Sequence, residues 1–189
     1  MKSTICDRLG IEFPLFAFSH CRDVVAAVTN AGGLGVLGAT IHTPETLEIE
    51  LAWIDDHVNG KPYGVDLLIP NNMDAKDGAI SAAEVEARVP PEHRKYVSDL
   101  LARNGLDVDD LWDRKVANNF GDHLRLAGAS KILDVAFAHP IKLIVNALGV
   151  PPDAMMERAR AKNVAVGALT GAKEHAVKHA EAGVDILIV

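Results

Sequence analysis

Short apolar runs alternate with amphipathic segments of helical period along most of the chain. A short run of aliphatic and β-branched residues bounded by turn residues is typical of a buried strand, whereas apolar positions that repeat every three or four residues indicate a helix. Strands separated by helices need crossover connections, which are right-handed and produce a parallel sheet covered by helices. The pattern therefore predicts an α/β fold with strands at residues 15–18, 35–39, 63–70, 141–148, 164–169 and 185–189.

Capping signals mark the ends of several predicted helices. Thr43 followed by Pro44 predicts a helix whose N-cap is the threonine and whose first residue is the proline. Gly183 predicts the end of the helix before the last strand, because glycine readily adopts the left-handed conformation common after a helix. These signals agree with the boundaries that the apolar runs suggest.

The alternation stops between residues 72 and 125, where the chain is polar, charged and helical in pattern. We predict a helical insertion after the third strand, within a single domain that spans residues 1–189. A helix at Ser130–His139 then resumes the alternation. Insertions at the carboxyl ends of parallel strands often cover a site, but a packing or dimer contact explains this one equally well.

Gly33, Gly35 and Gly38 have the spacing G-x-G-x-x-G, which in other proteins wraps the pyrophosphate of a dinucleotide. That function requires a strand before the glycines and a helix after them. Here the order is reversed, because residues 23–31 have a helical pattern and the apolar run follows the glycines. We therefore interpret Gly32 and Gly33 as a helix-to-strand turn and not as a phosphate site.

Composition narrows the class of protein further. The chain has 189 residues, 49% of them hydrophobic and 24% charged, which suits a globular protein with a substantial core. Its net charge of −7 argues against a nucleic-acid surface. Two cysteines, Cys6 and Cys21, make a disulfide framework unlikely, and no run resembles a signal peptide or a membrane span. We expect a cytoplasmic protein without nucleic-acid or membrane partners.

Four stretches, in this order, resemble the nitronate monooxygenase (2-nitropropane dioxygenase-like) family of flavin enzymes. They are ICDRLGIEFPLF (5–16), NAGGLGVLGA (30–39), GKPYGVDLLIP (60–70) and AEAGVDILIV (180–189). The resemblance implies a (β/α)8 TIM barrel that binds FMN at the carboxyl ends of its strands. It also implies oxidation of alkyl nitronates, small carbon acids, by O₂ through the flavin.

The resemblance also implies where the cofactor lies, and the residues at the predicted strand ends are the candidates for contact with FMN. They are Ala17, Phe18, Ser19, Asp66, Asn146, Gly167 and Ala168. For each there is a simpler interpretation: an ordinary strand end at 17–19, a buried ion pair for Asp66, a hydrogen-bonded core amide for Asn146, and close packing at 167–168.

His20 is the candidate catalytic residue, because a histidine at a strand end can act as a base, although a plain hydrogen-bonded role is more common there. Cys21 has no evident base at a fixed spacing, so we expect a small buried residue. His175 and His179 are one helical turn apart but lack the glutamate of H-E-x-x-H. We therefore predict no metal site and a solvated helix face.

Two departures from the family pattern matter. The family's proposed base is the histidine of a Q-G-x-E-A-G-G-H segment, which would follow Val189, and the asparagine of the family's G-V-N is Asp66 here. A carboxylate facing an electron-rich flavin disfavours the anionic reduced ring unless it is protonated or paired with a cation. We expect the chain to be an N-terminal portion of about six βα units that is inactive by itself.

Two alternatives to a nitronate monooxygenase remain open. One is a flavin-dependent enoyl-thioester reductase that uses NAD(P)H on the same scaffold, since such enzymes share the N-A-G-G-L-G turn. The other is a flavin-free half-barrel that persists by self-association into a homo-oligomer, because an open parallel sheet exposes two edges.

Overall fold

The computed structural model describes residues 3–69, 88–109, 111–112 and 126–189. No helix in these ranges is long and apolar enough to span a lipid bilayer. The elements in chain order are α1 (Thr4–Leu9), β1 (Phe16–Ser19), α2 (Arg22–Asn30), β2 (Leu34–Gly38), α3 (Pro44–His57), β3 (Gly64–Leu67), α4 (Pro91–Arg103), α5 (Leu126–Ala138), β4 (Leu143–Asn146), α6 (Asp153–Lys162), β5 (Ala165–Leu169), α7 (Lys173–Glu181) and β6 (Ile186–Ile188).

The six strands form one sheet in the order β1-β2-β3-β4-β5-β6. Every neighbouring pair is parallel. Each crossover therefore advances the chain by one strand in a constant direction, as in a (β/α)8 barrel, whereas the strand order of a doubly wound sheet reverses at a switch point. The α/β class and the incomplete barrel predicted from the sequence are confirmed.

Each strand contributes to two separate apolar layers, because successive side chains of a strand point to opposite faces. On the outer face, Leu37, Val65 and Ile144 pack against helices such as α3, whose Leu47 and Leu51 are fully buried. Burial of a leucine or valine side chain stabilises the fold by about 1.5–3 kcal/mol. This helix-covered layer is the larger part of the core.

The inner face of the sheet forms the second layer. Leu34, Leu143 and Ala165, each the first residue of its strand, cluster with Cys6 and Leu9 of α1. Helix α1 therefore covers the amino-terminal end of the barrel interior. The cavity described below lies along the same face, from Phe16 and Leu143 at the starts of their strands to Leu169 and Ile188 at the ends of theirs.

The glycine-rich turn between α2 and β2 has the geometry predicted for a helix-to-strand connection. Gly32 has φ of 97°, a left-handed conformation that disfavours other residues. A Cβ atom on Gly35 would lie 2.3 Å from the carbonyl oxygen of Val25, and one on Gly33 would lie 2.9 Å from that of Leu15. The glycines thus allow α2 to pack closely on the sheet, and the dinucleotide interpretation is excluded by the local order of elements.

The two predicted helix caps agree with the structure. Thr43 caps α3 in a reciprocal capping box with Thr46, and Gly183 has φ of 82° just after α7. The strands are shorter than the apolar runs, since flanking residues such as Tyr63 and Ile69 are buried although they lie outside the strands.

The predicted insertion at 72–125 lies largely outside the described residues. Its described part contains α4, in which no side chain is buried. The helix that follows begins at Leu126, earlier than the predicted Ser130. The extent of the insertion and the single-domain organisation remain predictions.

Candidate functional site

A cavity of about 490 Å³ lies on the inner face of the sheet. Apolar residues of five strands line it, including Phe18 of β1, Val145 of β4 and Ile188 of β6. Asp66 of β3 is the charged side chain among the described residues that line it. Enclosed apolar pockets with a few polar groups are the usual form of small-molecule sites.

Asp66 points into this cavity with no partner among the described residues. It pairs with Gly38 on β2 and Val145 on β4, and neither neighbour offers a side-chain donor. The residue is 6% exposed, and its Oδ1 atom is buried without a hydrogen bond. Burial raises the pKa of Asp66 to about 7, an effect that the nearby His20 partly opposes. A buried polar atom without a partner is costly, so this position is a candidate for contact with a ligand.

His20 lies against Phe18, a residue of the cavity wall, in a fixed orientation. Its Nδ1 atom is 2.9 Å from the carbonyl oxygen of Gly38. Because a carbonyl only accepts hydrogen bonds, Nδ1 carries the proton and Nε2 of the neutral ring is an acceptor. The ring meets Phe18 edge-on, with 5.0 Å between centroids. A Cβ atom on Gly38 would lie 2.5 Å from Phe18 and 2.7 Å from His20, so only glycine permits this arrangement.

The three candidates of the first strand separate onto two faces. Phe18 lines the cavity, whereas Ala17 and Ser19 alternate with it and are half-buried on the opposite face. The Ser19 hydroxyl accepts a hydrogen bond from the Cys21 backbone N–H at 3.0 Å, just before α2 begins. The side chains of Ala17 and Ser19 therefore point away from the cavity. A contact between their backbone atoms and a cofactor stays a prediction.

Asn146 could contact the cofactor or be a hydrogen-bonded core amide, and in the structure it is a hydrogen-bonded core amide. It is fully buried on the face that packs against helices. Its Oδ1 accepts from the Ile69 N–H at 2.9 Å, and its Nδ2 donates to the carbonyl oxygens of Ile69 at 3.1 Å and Leu148 at 3.0 Å. The side chain therefore connects the loops that follow β3 and β4, and its amide is not directed at the cavity.

The two candidates of β5 also differ in direction. Ala168 pairs with Asn146 and is fully buried on the outer face. Gly167 pairs with Val145 on the inner face, where an added Cβ would lie 3.1 Å from the Val145 side chain and 3.4 Å from that of Ile188. Close packing therefore explains why residue 167 is a glycine, which is the simpler of the two interpretations. Of the two residues, only Gly167 faces the interior.

Two expectations about the burial of residues are wrong, one for Cys21 and one for His179. Cys21 is exposed, not buried, and its Sγ lies 3.4 Å from Oδ2 of Asp23. His179 does not belong to a solvated face, because it is 2% exposed and its Nδ1 lies 3.2 Å from the Thr170 hydroxyl. Burial lowers the pKa of His179. The sequence carried no signal of this contact, since the two residues belong to different elements.

A second cavity, of about 660 Å³, opens beside His179 at the ends of β5 and β6. Thr170, His175 and Lys178 lie on its wall. No group of three or more histidine, cysteine, aspartate or glutamate side chains gathers as metal ligands anywhere in the described ranges. The inner-face cavity is therefore the stronger candidate, because it combines apolar walls with an unpaired buried acid.

Parallel strands in this order, connected by helices, are the arrangement of (β/α)8-barrel enzymes. A sequence model described as nitronate monooxygenase matches residues 2–189. The chain belongs to the nitronate monooxygenase family, as its four sequence stretches suggested.

Curated relatives extend beyond the part that this chain covers. The “Putative monooxygenase Rv1533” of Mycobacterium tuberculosis (strain ATCC 25618 / H37Rv) is 49% identical over 190 residues, which cover all of this chain and 50% of that protein. A “Probable nitronate monooxygenase” of Staphylococcus saprophyticus is 21% identical, over all of this chain and 48% of its own length. The chain therefore spans about half the length of the curated relatives it matches.

Solved structures share the fold. FabK from Thermotoga maritima has a TM-score of 0.62 at 18% identity, over all of this chain and 44% of its own. A nitroalkane oxidase from Streptomyces ansochromogenes has a TM-score of 0.63 at 21% identity, over 99% of this chain and 48% of its own. Identities this low show a common architecture and leave the reaction to be argued from the site.

Proposed function

We propose that this chain contributes the inner-face cavity of a flavin-dependent oxidoreductase that oxidises alkyl nitronates with O₂, and that the flavin is FMN. Membership of the nitronate monooxygenase family over residues 2–189 is the observation that carries the proposal. The inner-face cavity supports it, because its lining reaches Leu169 and Ile188 at the carboxyl ends of their strands, where barrel enzymes have their sites.

The residues of the cavity suit a flat aromatic cofactor. Phe18 and Val145 offer apolar walls, and Gly38, which has no side chain, leaves room for the rings of Phe18 and His20. Asp66 supplies a polar atom that lacks a partner, and a flavin ring edge carries both donors and acceptors. A flavin bound here would supply the two-electron oxidation of the carbon acid and the reaction with O₂.

The chain's own residues would bind and orient the reactants. Phe18 packs against the bound ring system, Asp66 hydrogen-bonds to it or to the substrate, and the apolar walls exclude water. The Gly38 carbonyl fixes the His20 ring with Nε2 as an acceptor, and we propose that His20 accepts the α-proton when the substrate arrives as the parent nitroalkane, because a nitronate has already lost that proton.

A titration of the purified chain with FMN tests the binding part of this proposal. We expect quenching of flavin fluorescence and a perturbed flavin absorption band. Phe18→Ala should weaken binding about tenfold, the loss expected for one aromatic contact. Phe13→Ala is the matched control, since Phe13 is similarly exposed but does not line the cavity.

If the folded chain binds no FMN, the proposal is contradicted. A colourless chain that is stable as an oligomer in analytical ultracentrifugation would support the flavin-free, self-associating alternative instead.

Anaerobic mixing of the flavin-loaded protein tests the reaction. Bleaching of the flavin by propyl-2-nitronate, followed by its return when O₂ is admitted, supports the nitronate assignment. Bleaching by NADH or NADPH and not by the nitronate would instead assign the enoyl-thioester reductase alternative.

A further inference from the structure

Asp66 is the most unusual side chain of the inner face. Its Oδ1 atom is buried and lacks a hydrogen bond among the described residues, although the residue lines a cavity large enough for a ligand. Buried carboxyl groups normally have donors, because an unpaired acceptor loses the hydrogen bonds that it made with water. The missing partner is therefore expected to belong to the molecule that occupies the cavity.

The surroundings of Asp66 decide which protonation state suits that molecule. On the inner face, β2 presents Gly38, β4 presents Val145 and β1 presents Phe18, and none of these has a polar side chain. His20 is the titratable group of the described residues whose charge acts on Asp66, and its Nδ1 proton is already directed at the Gly38 carbonyl. An apolar wall disfavours a carboxylate and favours the neutral acid, an effect that His20 opposes only in part.

A neutral carboxyl group changes the chemistry of the cavity, because it contributes an O–H donor. A donor in an apolar pocket selects ligands that present an acceptor atom, and it does not repel an anion as a carboxylate would. A carboxylate at the same position would select an ammonium or another donor.

We propose that Asp66 binds the ligand of this cavity as a neutral acid, donating its O–H to an acceptor atom of the ligand, and that binding takes up one proton from solvent. The inference rests on the proposed function, since a flavin ring carbonyl and a nitronate oxygen both provide such an acceptor. The proton adds to the Asp66 carboxylate, and no bond of the ligand is broken.

The expected size of the effect follows from linkage. With the pKa of Asp66 at about 7 before binding, about nine-tenths of the molecules are ionised at pH 8 and about one-tenth at pH 6. Binding should therefore take up close to one proton at pH 8 and almost none at pH 6, and affinity should be about tenfold weaker at pH 8 than at pH 6.

Isothermal titration calorimetry in phosphate and in Tris buffer counts the protons, because the two buffers differ in protonation enthalpy. Riboflavin is the first probe, since it lacks the FMN phosphate, whose second pKa lies near 6. Propyl-2-nitronate is the second probe, and the two arms distinguish a cofactor acceptor from a substrate acceptor. We expect proton uptake at pH 8 with at least one of them.

Asp66→Asn is the decisive variant, because its amide keeps a donor and does not titrate. It should bind the same probe without proton uptake and with similar affinity at pH 6 and pH 8. Asp23→Asn is the matched control, since Asp23 contacts Cys21 and does not line the cavity. The control should behave like the unmodified chain.

Binding without proton uptake in the unmodified chain, or uptake that persists in Asp66→Asn, overturns this inference and leaves the proposed function intact. Absence of riboflavin, FMN and nitronate binding at every pH overturns both. If Asp66→Asn does not fold, ¹³C NMR of the aspartate carboxyl carbons in the unmodified chain decides the matter. The Asp66 signal should then move to the protonated position when the probe is added at pH 8, and an unchanged ionised signal contradicts the inference.

Discussion

Asp66 and Asn146 lie on neighbouring strands, are both buried, and have opposite surroundings. Asn146 faces the helices, and backbone groups of two loops use its whole amide. Asp66 faces the barrel interior, and its Oδ1 atom has no partner in the described part of the chain. A buried polar residue whose partners come from the fold stabilises the fold, whereas one without partners indicates a site. We therefore expect Asn146 to stabilise the fold on the outer face of the sheet and Asp66 to bind a ligand on the inner face.

The largest expected effect concerns the helix-facing side. Asn146→Ala leaves the Ile69 N–H and its carbonyl without partners, so we expect a loss of about 4 kcal/mol in the free energy of unfolding, measured by urea denaturation. Asn30→Ala removes an exposed bond to the His57 carbonyl and should cost less than about 1 kcal/mol. Equal losses in the two variants would show that Asn146 does not serve the core.

Asp66→Asn should raise the free energy of unfolding, whereas Asn146→Ala lowers it. The pKa of Asp66 is raised from 3.8 to about 7 in the folded chain. Between these values the folded state retains a proton that the unfolded state has lost, so stability falls as pH rises and the loss is complete above pH 7. Asparagine removes this loss, and we expect the variant to be more stable by about 4 kcal/mol at pH 8 and by almost nothing near pH 3.

Urea denaturation of both chains at several pH values provides that measurement. A constant difference between the two chains from pH 3 to pH 8 would contradict the raised pKa and would place Asp66 among ordinary polar residues.

A smaller effect is expected at the contact of Thr170 with His179. The Thr170 hydroxyl lies within hydrogen-bond distance of both the Ala168 carbonyl and the His179 ring. Thr170→Val leaves a buried ring nitrogen unpaired and should cost about 1–2 kcal/mol, whereas Thr170→Ser, which keeps the hydroxyl, should cost less than about 1 kcal/mol. Thermal unfolding of the two variants compares them directly, and indistinguishable melting temperatures would refute a structural hydrogen bond here.

The smallest effect sharpens the electrostatics of the cavity. His20 lowers the pKa of Asp66, so His20→Gln should raise that pKa slightly further, with a change in stability of less than about 0.5 kcal/mol at pH 8. An NMR titration of the Asp66 carboxyl carbon measures the shift. A lowered pKa in this variant would mean that His20 acts on Asp66 by some other route.

Candidate site residues could be placed on strands from the sequence but not assigned to a face. Phe18, Asp66 and Gly167 point inward, whereas Ala17, Asn146 and Ala168 point toward the helices. Alternation along a strand fixes which residues share a face, but strands buried on both sides are apolar at every position and do not reveal which face is inner. The exposure of Cys21 and the burial of His179 were missed for a related reason, because both depend on contacts between elements.

The sequence by itself determined the order of strands and helices, the parallel sheet, the helix ends at Thr43 and Gly183, and the glycine turn before β2. These features follow from local periodicity and backbone preferences, which neighbouring residues encode. Only the tertiary structure decided that Asn146 has partners, that Oδ1 of Asp66 has none in the described ranges, and that Gly38 makes room for His20 and Phe18. Those distinctions depend on which residues of distant strands meet across the sheet, and no single segment of the chain contains that information.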